Sequence, residues 1–297
     1  MNRSELTFSS SGVDCAAWLY RPRGAGPHPL VVMAHGFAAT RELRLDEYAE
    51  RFQAAGIGVL LFDYRFFGAS AGQPRQLVDI RCQLDDWRAA IACGRGIDWV
   101  DAERVALFGT SYSGGHVVTM AAEDSRIAAI VAQCPFSDGL ATVRRIPPIS
   151  ALRLTGHALV DQVGSLLGRA PHYLPAVAGH RKLGMMNTRD AKPGMDALIP
   201  ERTSWENRVA ARIGLRVPFY RPGTKAAEVR CPGLWCITDN DTLCPARNTA
   251  KHAARAPRAE IKHYPIGHFD IYVGEWFERA VADQTEFLVR HLRPDNP

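Results

Sequence analysis

Apolar residues follow two alternating rhythms along this chain. Short unbroken runs such as Leu30-Val31-Val32-Met33-Ala34, bounded by Pro29 and Gly36, read as strands buried on both faces of a sheet. Longer segments, with apolar positions three and four residues apart, read as helices. Strands are predicted at residues 30–34, 58–62, 104–108, 126–132, 233–237 and 260–264, and helices at 43–55, 78–92 and 246–256. A last amphipathic helix places Phe277, Ala280, Val281, Gln284, Phe287 and Leu288 on one side. Residues 6–20, with a Ser9-Ser10-Ser11-Gly12 turn, read as an antiparallel hairpin at the sheet edge. The alternation predicts an α/β fold, a mainly parallel sheet with helices on both faces.

The rhythm breaks after Phe136. Up to Glu228 the chain carries Pro147, Pro148, Pro171, Pro175, Pro193, Pro200, Pro218 and Pro222, and only helical fragments. One fragment repeats Leu152, Leu159, Val163, Leu166 and Leu167 at helical spacing. Such a stretch is too long for a plain loop in a compact domain and predicts an inserted subdomain. The expected organisation is a core of residues 1–136 and 229–297, with a helical cap (lid) over 137–228.

Composition narrows the class of partner. With 46 % apolar and 23 % charged residues over 297 positions, the chain has ample material for a core. The net charge of +5 is dispersed, with no block of like charges and no basic run interleaved with aromatics. A nucleic-acid partner is therefore not expected. The N-terminal residues lack an apolar leader region, and no uncharged apolar run reaches membrane-spanning length. Seven cysteines occur without a CxxC pair, and Cys231, Cys236 and Cys244 have no zinc-like spacing to histidines. The expectation is a cytoplasmic protein with free thiols, no membrane partner and no metal. A homodimer is compatible with the sequence but not specified by it.

The segment richest in chemistry is Val105-Ala106-Leu107-Phe108-Gly109-Thr110-Ser111-Tyr112-Ser113-Gly114-Gly115. A strand runs into a turn of small residues, and His116 to Ala122 continues as a helix. That context suits a G-x-S-x-G nucleophile elbow, where the turn must be sharp and its flanks small. Ser113 stands where the second glycine is usual. Taking Ser113 as the nucleophile instead would put it two residues too far from the strand end, which favours Ser111. Alone, the segment also reads as a Gly/Ser-rich turn without chemical meaning.

Further segments add to it. His35-Gly36-Phe37 follows the first buried strand, and Asp63-Tyr64-Arg65-Phe66-Phe67-Gly68-Ala69-Ser70 follows the next. Ile237-Thr238-Asp239-Asn240-Asp241, with Pro245 four residues on, and Pro265-Ile266-Gly267-His268-Phe269-Asp270 follow the last two. With these the chain resembles the α/β-hydrolase superfamily over nearly its whole length. The finer match, through the G-T-S-Y-S-G-G elbow and residues 267–272, is to dienelactone-hydrolase-like and X-prolyl-peptidase-like branches and to polyketide-processing acyl transferases.

The resemblance implies Ser111 as nucleophile, His268 as general base and Asp241, favoured over Asp239, as the orienting acid. It implies the backbone N–H groups of Phe37 and Tyr112 as the oxyanion hole. Asp63 and Arg65 take structural parts in their turn, and His35 and His263 are structural too. No cofactor is required, and neither a phosphate loop nor an H-E-x-x-H zinc motif occurs. The expected activity is hydrolysis of a small acyl substrate: a carboxylic ester, with lactones and thioesters in scope. It should be lost on the acid side near the ordinary histidine value of about 6.5. The alternatives are an acyltransferase with the same triad, and a non-catalytic binding protein on this scaffold. A peptidase is less favoured, because no acidic pair to hold a substrate's amino terminus is identifiable. In the cap, Met185, Met186 and Trp205 are expected to touch substrate. Leu159, Phe219 and Tyr220 are expected with them to pack the cap or line an acyl pocket.

Overall fold

The computed structural model describes residues 3–293. Eight strands make one sheet: β1 (Arg3–Ser10), β2 (Val13–Tyr20), β3 (His28–Ala34), β4 (Gly58–Phe62), β5 (Val100–Thr110), β6 (Ala129–Gln133), β9 (Gly233–Thr238) and β10 (Ala259–Tyr264). A separate two-residue ribbon pairs β7 (Tyr173–Leu174) with β8 (Val209–Ala210). The sheet order is β1-β2-β4-β3-β5-β6-β9-β10. The first hairpin is antiparallel and joins β4 antiparallel, while β4, β3, β5, β6, β9 and β10 run parallel. From β3 the chain moves to β4 on one side, then to β5 on the other. Order therefore reverses between β3 and β5, and in such sheets the ligand crevice opens beyond the C-terminal ends of the strands at that point.

Strand alternation sends neighbouring side chains to opposite layers. Val32, Leu60 and Leu30 face α2 (Ile80–Arg95), so closely that a Cβ on Gly94 would meet Leu30 at 2.5 Å. Phe108 turns the other way, its ring 5.4 Å from Tyr48 and 5.8 Å from Phe52 of α1 (Leu45–Ala54). Tyr48 in turn meets Phe277 of α8 (Gly274–Leu292) edge-on at 4.8 Å. The helix α3 (Tyr112–Glu123) packs beside α2, and α7 (Ala246–Ala253) bridges β9 and β10. The central strands are buried on both faces, which is why they read as unbroken apolar runs. By contrast, β10 is an edge strand and leaves Ile261, Lys262 and His263 exposed.

Between β6 and β9 lie α4 (Gly139–Val143), α5 (Pro148–Leu166), α6 (Ala191–Leu198), the β7/β8 ribbon and three short 3₁₀ turns. The segment is thus more than helical fragments. It is tied down by backbone bonds, Ala210 N–H donating to Gln76 O at 2.9 Å and Gly223 N–H to Ser137 O at 2.8 Å. The apolar repeat on α5 faces outward: Leu152, Leu159, Val163 and Leu166 are all half or more exposed. The buried side of the helix is instead small and polar, with Ala158 against the fold and Asp161 paired to Arg212 at 2.8 Å. All seven cysteines are free thiols. No helix among the described residues is long and apolar enough to cross a membrane.

Candidate active site

The strand β5 enters α3 through Ser111, whose backbone stands at φ 56°, ψ −118°. Such a conformation costs on the order of 1–3 kcal/mol in strain, and the surroundings hold it in place. Ser111 N–H donates to Gln133 O at 2.8 Å, while Ser111 O accepts from Gly114 N–H at 3.0 Å and Phe136 N–H at 2.8 Å. Gly109 must be a glycine, since a Cβ there would collide with the Ser113 carbonyl. Ser113 itself is fully buried and hydrogen-bonded to the Tyr64 hydroxyl at 2.5 Å. Ser111 lines two cavities and Ser113 neither.

The turn after β9 carries Asp241, and the loop after β10 carries His268. All three groups therefore arrive at C-terminal strand ends of one sheet. His268 Nε2 lies 2.9 Å from Ser111 Oγ, and His268 Nδ1 lies 2.6 Å from Asp241 Oδ2. Asp241 Oδ1 accepts from Leu243 N–H at 2.8 Å and Cys244 N–H at 2.6 Å, and Oδ2 accepts from the Thr238 hydroxyl at 2.8 Å. With His268 these occupy the acceptor positions of a carboxylate, about four in number, and fix its plane toward the imidazole. Asp239 is turned away and pairs with the exposed His263 at 2.7 Å. A connected hydroxyl, imidazole and carboxylate can move a proton off the serine oxygen.

Burial pulls the His268 ring down, but the Asp241 carboxylate outweighs it and holds the imidazole well above the ordinary 6.5. Cys244 lies against the same pair, within 4.8 Å, and this trio is the one cluster of metal-ligating type among the described residues. Asp241 and His268 are turned on each other, and burial pushes the Cys244 thiol up to about 12. A neutral thiol is a poor nucleophile and a poor ligand.

Gly36 brings the loop after β3 against Ser111, and Phe37 lines both cavities with Ser111. The N–H of Tyr112 is the first of α3, one of the helix-terminal amides without an intrahelical acceptor. The Phe37 and Tyr112 rings meet edge-on at 5.5 Å. Beneath them, Asp63 accepts from Arg41 N–H at 2.7 Å and Ala69 N–H at 3.2 Å, so it braces its turn. Arg65 pairs with the buried Asp86 at 2.6 Å. Burial draws His35 down to about 4, so it is neutral, with Nδ1 3.0 Å from Gly36 O.

The larger cavity, about 160 Å³, is lined by Phe37, Ser111, Tyr112, Leu154, Met185, Met186 and Val217 among others. The smaller, about 40 Å³, is lined by His268, Thr40, Leu43, Met186, Met195 and Phe269 among others. Of the residues expected to touch substrate, Met185 lines the larger cavity and Met186 lines both. Trp205 lines neither; its indole N–H donates to Ala38 O at 2.7 Å and braces the loop beside Phe37. Leu159 and Phe219 are exposed, and the Tyr220 hydroxyl bonds His116 Nδ1 at 2.6 Å. The sequence reading missed Leu154, Thr155 and Ala151 of α5, which line the larger cavity. Their three- and four-residue spacing was the available signal.

The quorum-quenching protein AidA of Acinetobacter baumannii is 48% identical over 286 residues, covering 96% of this chain and 94% of that protein. The thiohydrolase aneE of Aspergillus aculeatus is 27% identical, covering 96% of this chain and 92% of its own. The crystal structure of the alpha/beta hydrolase GrgF from Penicillium sp. superposes with a TM-score of 0.84 at 26% identity, over 98% of this chain and 99% of that one. Residues 25–272 match the Hydrolase_4 family, described as serine aminopeptidase, S33. The chain belongs to this family of α/β hydrolases.

Proposed function

We propose that this protein is a serine hydrolase acting on carboxylic esters, with lactones and thioesters in scope, through an acyl-enzyme on Ser111. The observation that carries the reading is the unbroken chain from Ser111 Oγ through His268 to Asp241, opening on an apolar cavity. His268 takes the Ser111 proton as Oγ attacks the carbonyl, and Asp241 keeps Nδ1 protonated and stabilises the imidazolium. The N–H groups of Phe37 and Tyr112 meet the developing oxyanion, each such donor lowering the barrier by about 2.7–4 kcal/mol. Water then releases the acyl group. Among the described residues no carboxylate lines either cavity, so a substrate's free ammonium finds no counter-charge there. That argues for esters over the aminopeptidase activity in the family's description.

An acyl acceptor other than water is a second reading. The polyketide transferase grgF, 28% identical over 298 residues, favours it. The likeness to a quorum-quenching protein adds diffusible signal molecules to the substrates to be tried. The test is a panel of p-nitrophenyl esters, lactones, acyl thioesters and aminoacyl anilides, with and without an alcohol acceptor. Fluorophosphonate should label Ser111, and only the esters, lactones or thioesters should turn over. Turnover of anilides alone would sink the proposal.

A further inference from the structure

The two cavities at Ser111 differ in a way that bears on the chemistry, given Ser111 as nucleophile. His268 lines the smaller and not the larger. As the bond from Ser111 Oγ to the acyl carbon forms, the bond from that carbon to the departing oxygen breaks. The proton taken from Ser111 passes from His268 Nε2 to that oxygen, and the alcohol leaves. The departing oxygen must therefore lie on the imidazole side, which assigns the smaller cavity to the leaving group and the larger to the acyl chain. At about 40 Å³ the smaller cavity has room for roughly three or four heavy atoms.

Its walls are mostly apolar, from Leu43, Leu45, Met195, Leu198 and Phe269. Most of its polar groups are already engaged. The Thr110 and Tyr272 hydroxyls bond each other, and His35 Nδ1 lies 3.0 Å from Gly36 O. Two buried polar atoms of its lining residues have no hydrogen-bond partner among the described residues: His35 Nε2, which faces the Asp63 carboxylate at 3.7 Å, and the hydroxyl of the fully buried Thr40. A buried hydroxyl is rarely left without a hydrogen bond in a working protein.

We propose that Thr40 is the specificity-determining residue of a leaving-group site, its hydroxyl bonding a second oxygen on a compact alcohol. The preferred substrates are then esters of short hydroxylated alcohols, ahead of their apolar isosteres.

The test compares 2-hydroxyethyl octanoate with propyl octanoate, which match in shape and differ by one hydroxyl. The ratio of kcat/KM for the two esters should fall about tenfold in Thr40→Val, the effect of one ordinary hydrogen bond, and hold in Thr40→Ser. Differences in intrinsic reactivity cancel between wild type and variant. An unchanged ratio, or equal loss on both esters, overturns the proposal. Should Thr40→Val fail to fold, the wild-type acyl-enzyme is partitioned between ethylene glycol and 1-propanol. Ethylene glycol should capture more acyl group, and equal or lesser capture overturns the proposal as well. Ser111→Ala must abolish cleavage of both esters. If it does not, the nucleophile assignment fails, a result distinct from an unchanged ratio.

Discussion

A Cβ added to Gly36 would stand 2.9 Å from the Cβ of Ser111. That separation admits only hydrogen at position 36, so Gly36→Ala must push the Phe37 loop away from the nucleophile. Losing one oxyanion donor lowers kcat by about 10²–10³, and a drop of that size is expected. Overpacking should cost about 1–3 kcal/mol of stability as well. Steady-state kinetics with a thermal melt checks both, and near-normal kcat would place the oxyanion site elsewhere.

Ser111→Ala should lower kcat by roughly 10⁴–10⁶. Ser113→Ala should keep most activity and instead lose about 1–2 kcal/mol, because the buried Tyr64 hydroxyl loses a partner. Mass-spectrometric mapping of a fluorophosphonate adduct separates the two, and an adduct on Ser113 would reverse the assignment.

The rate should depend on pH through His268. Only the neutral imidazole accepts the serine proton, and the Asp241 carboxylate raises the pKa of the ring. The acid limb of kcat/KM therefore lies above 6.5. Asp241→Asn removes the charge, so the limb should move to lower pH while kcat falls on the order of 10⁴ through the wrong tautomer. Asp239→Asn should do neither. A profile of wild type and both variants decides it.

Stability should fall in acid for a different reason. Burial holds His116 neutral down to about 3, while the unfolded ring titrates near 6.5. Between these values the unfolded state binds the extra proton, so stability drops as pH falls. Melting temperature against pH should show that slope, and His116→Gln should flatten it. An equally steep slope in the variant would assign the acid loss to other groups.

Acyl selectivity should reside in residues that reach the larger cavity. Met185→Ala and Met186→Ala should raise the ratio of kcat/KM for a long over a short acyl ester, and Leu154→Trp should lower it. Leu159→Ala and Phe219→Ala should leave the ratio alone, since both side chains face outward. If the exposed pair shifts the ratio and the methionines do not, the cavity is not the acyl site.

The sequence by itself determined the central strands and the helices between them, and it marked Ser111, Asp241 and His268 as a candidate set. These are local or periodic signals: unbroken apolar runs mark strands buried on both faces, and small residues mark the turn at Ser111. Tertiary structure decided what depends on distant partners. Ser113 is buried against Tyr64, 49 positions away, and Asp239 pairs with His263. The same holds for the cap, where apolar spacing on α5 marked an outward stripe, because periodicity defines a face without saying what covers it. Trp205 lines neither cavity, and its indole N–H donates to Ala38 O. The direction of the His268 shift likewise needed the competition between burial and the Asp241 charge. That balance depends on distances and solvent exclusion, which no linear pattern encodes.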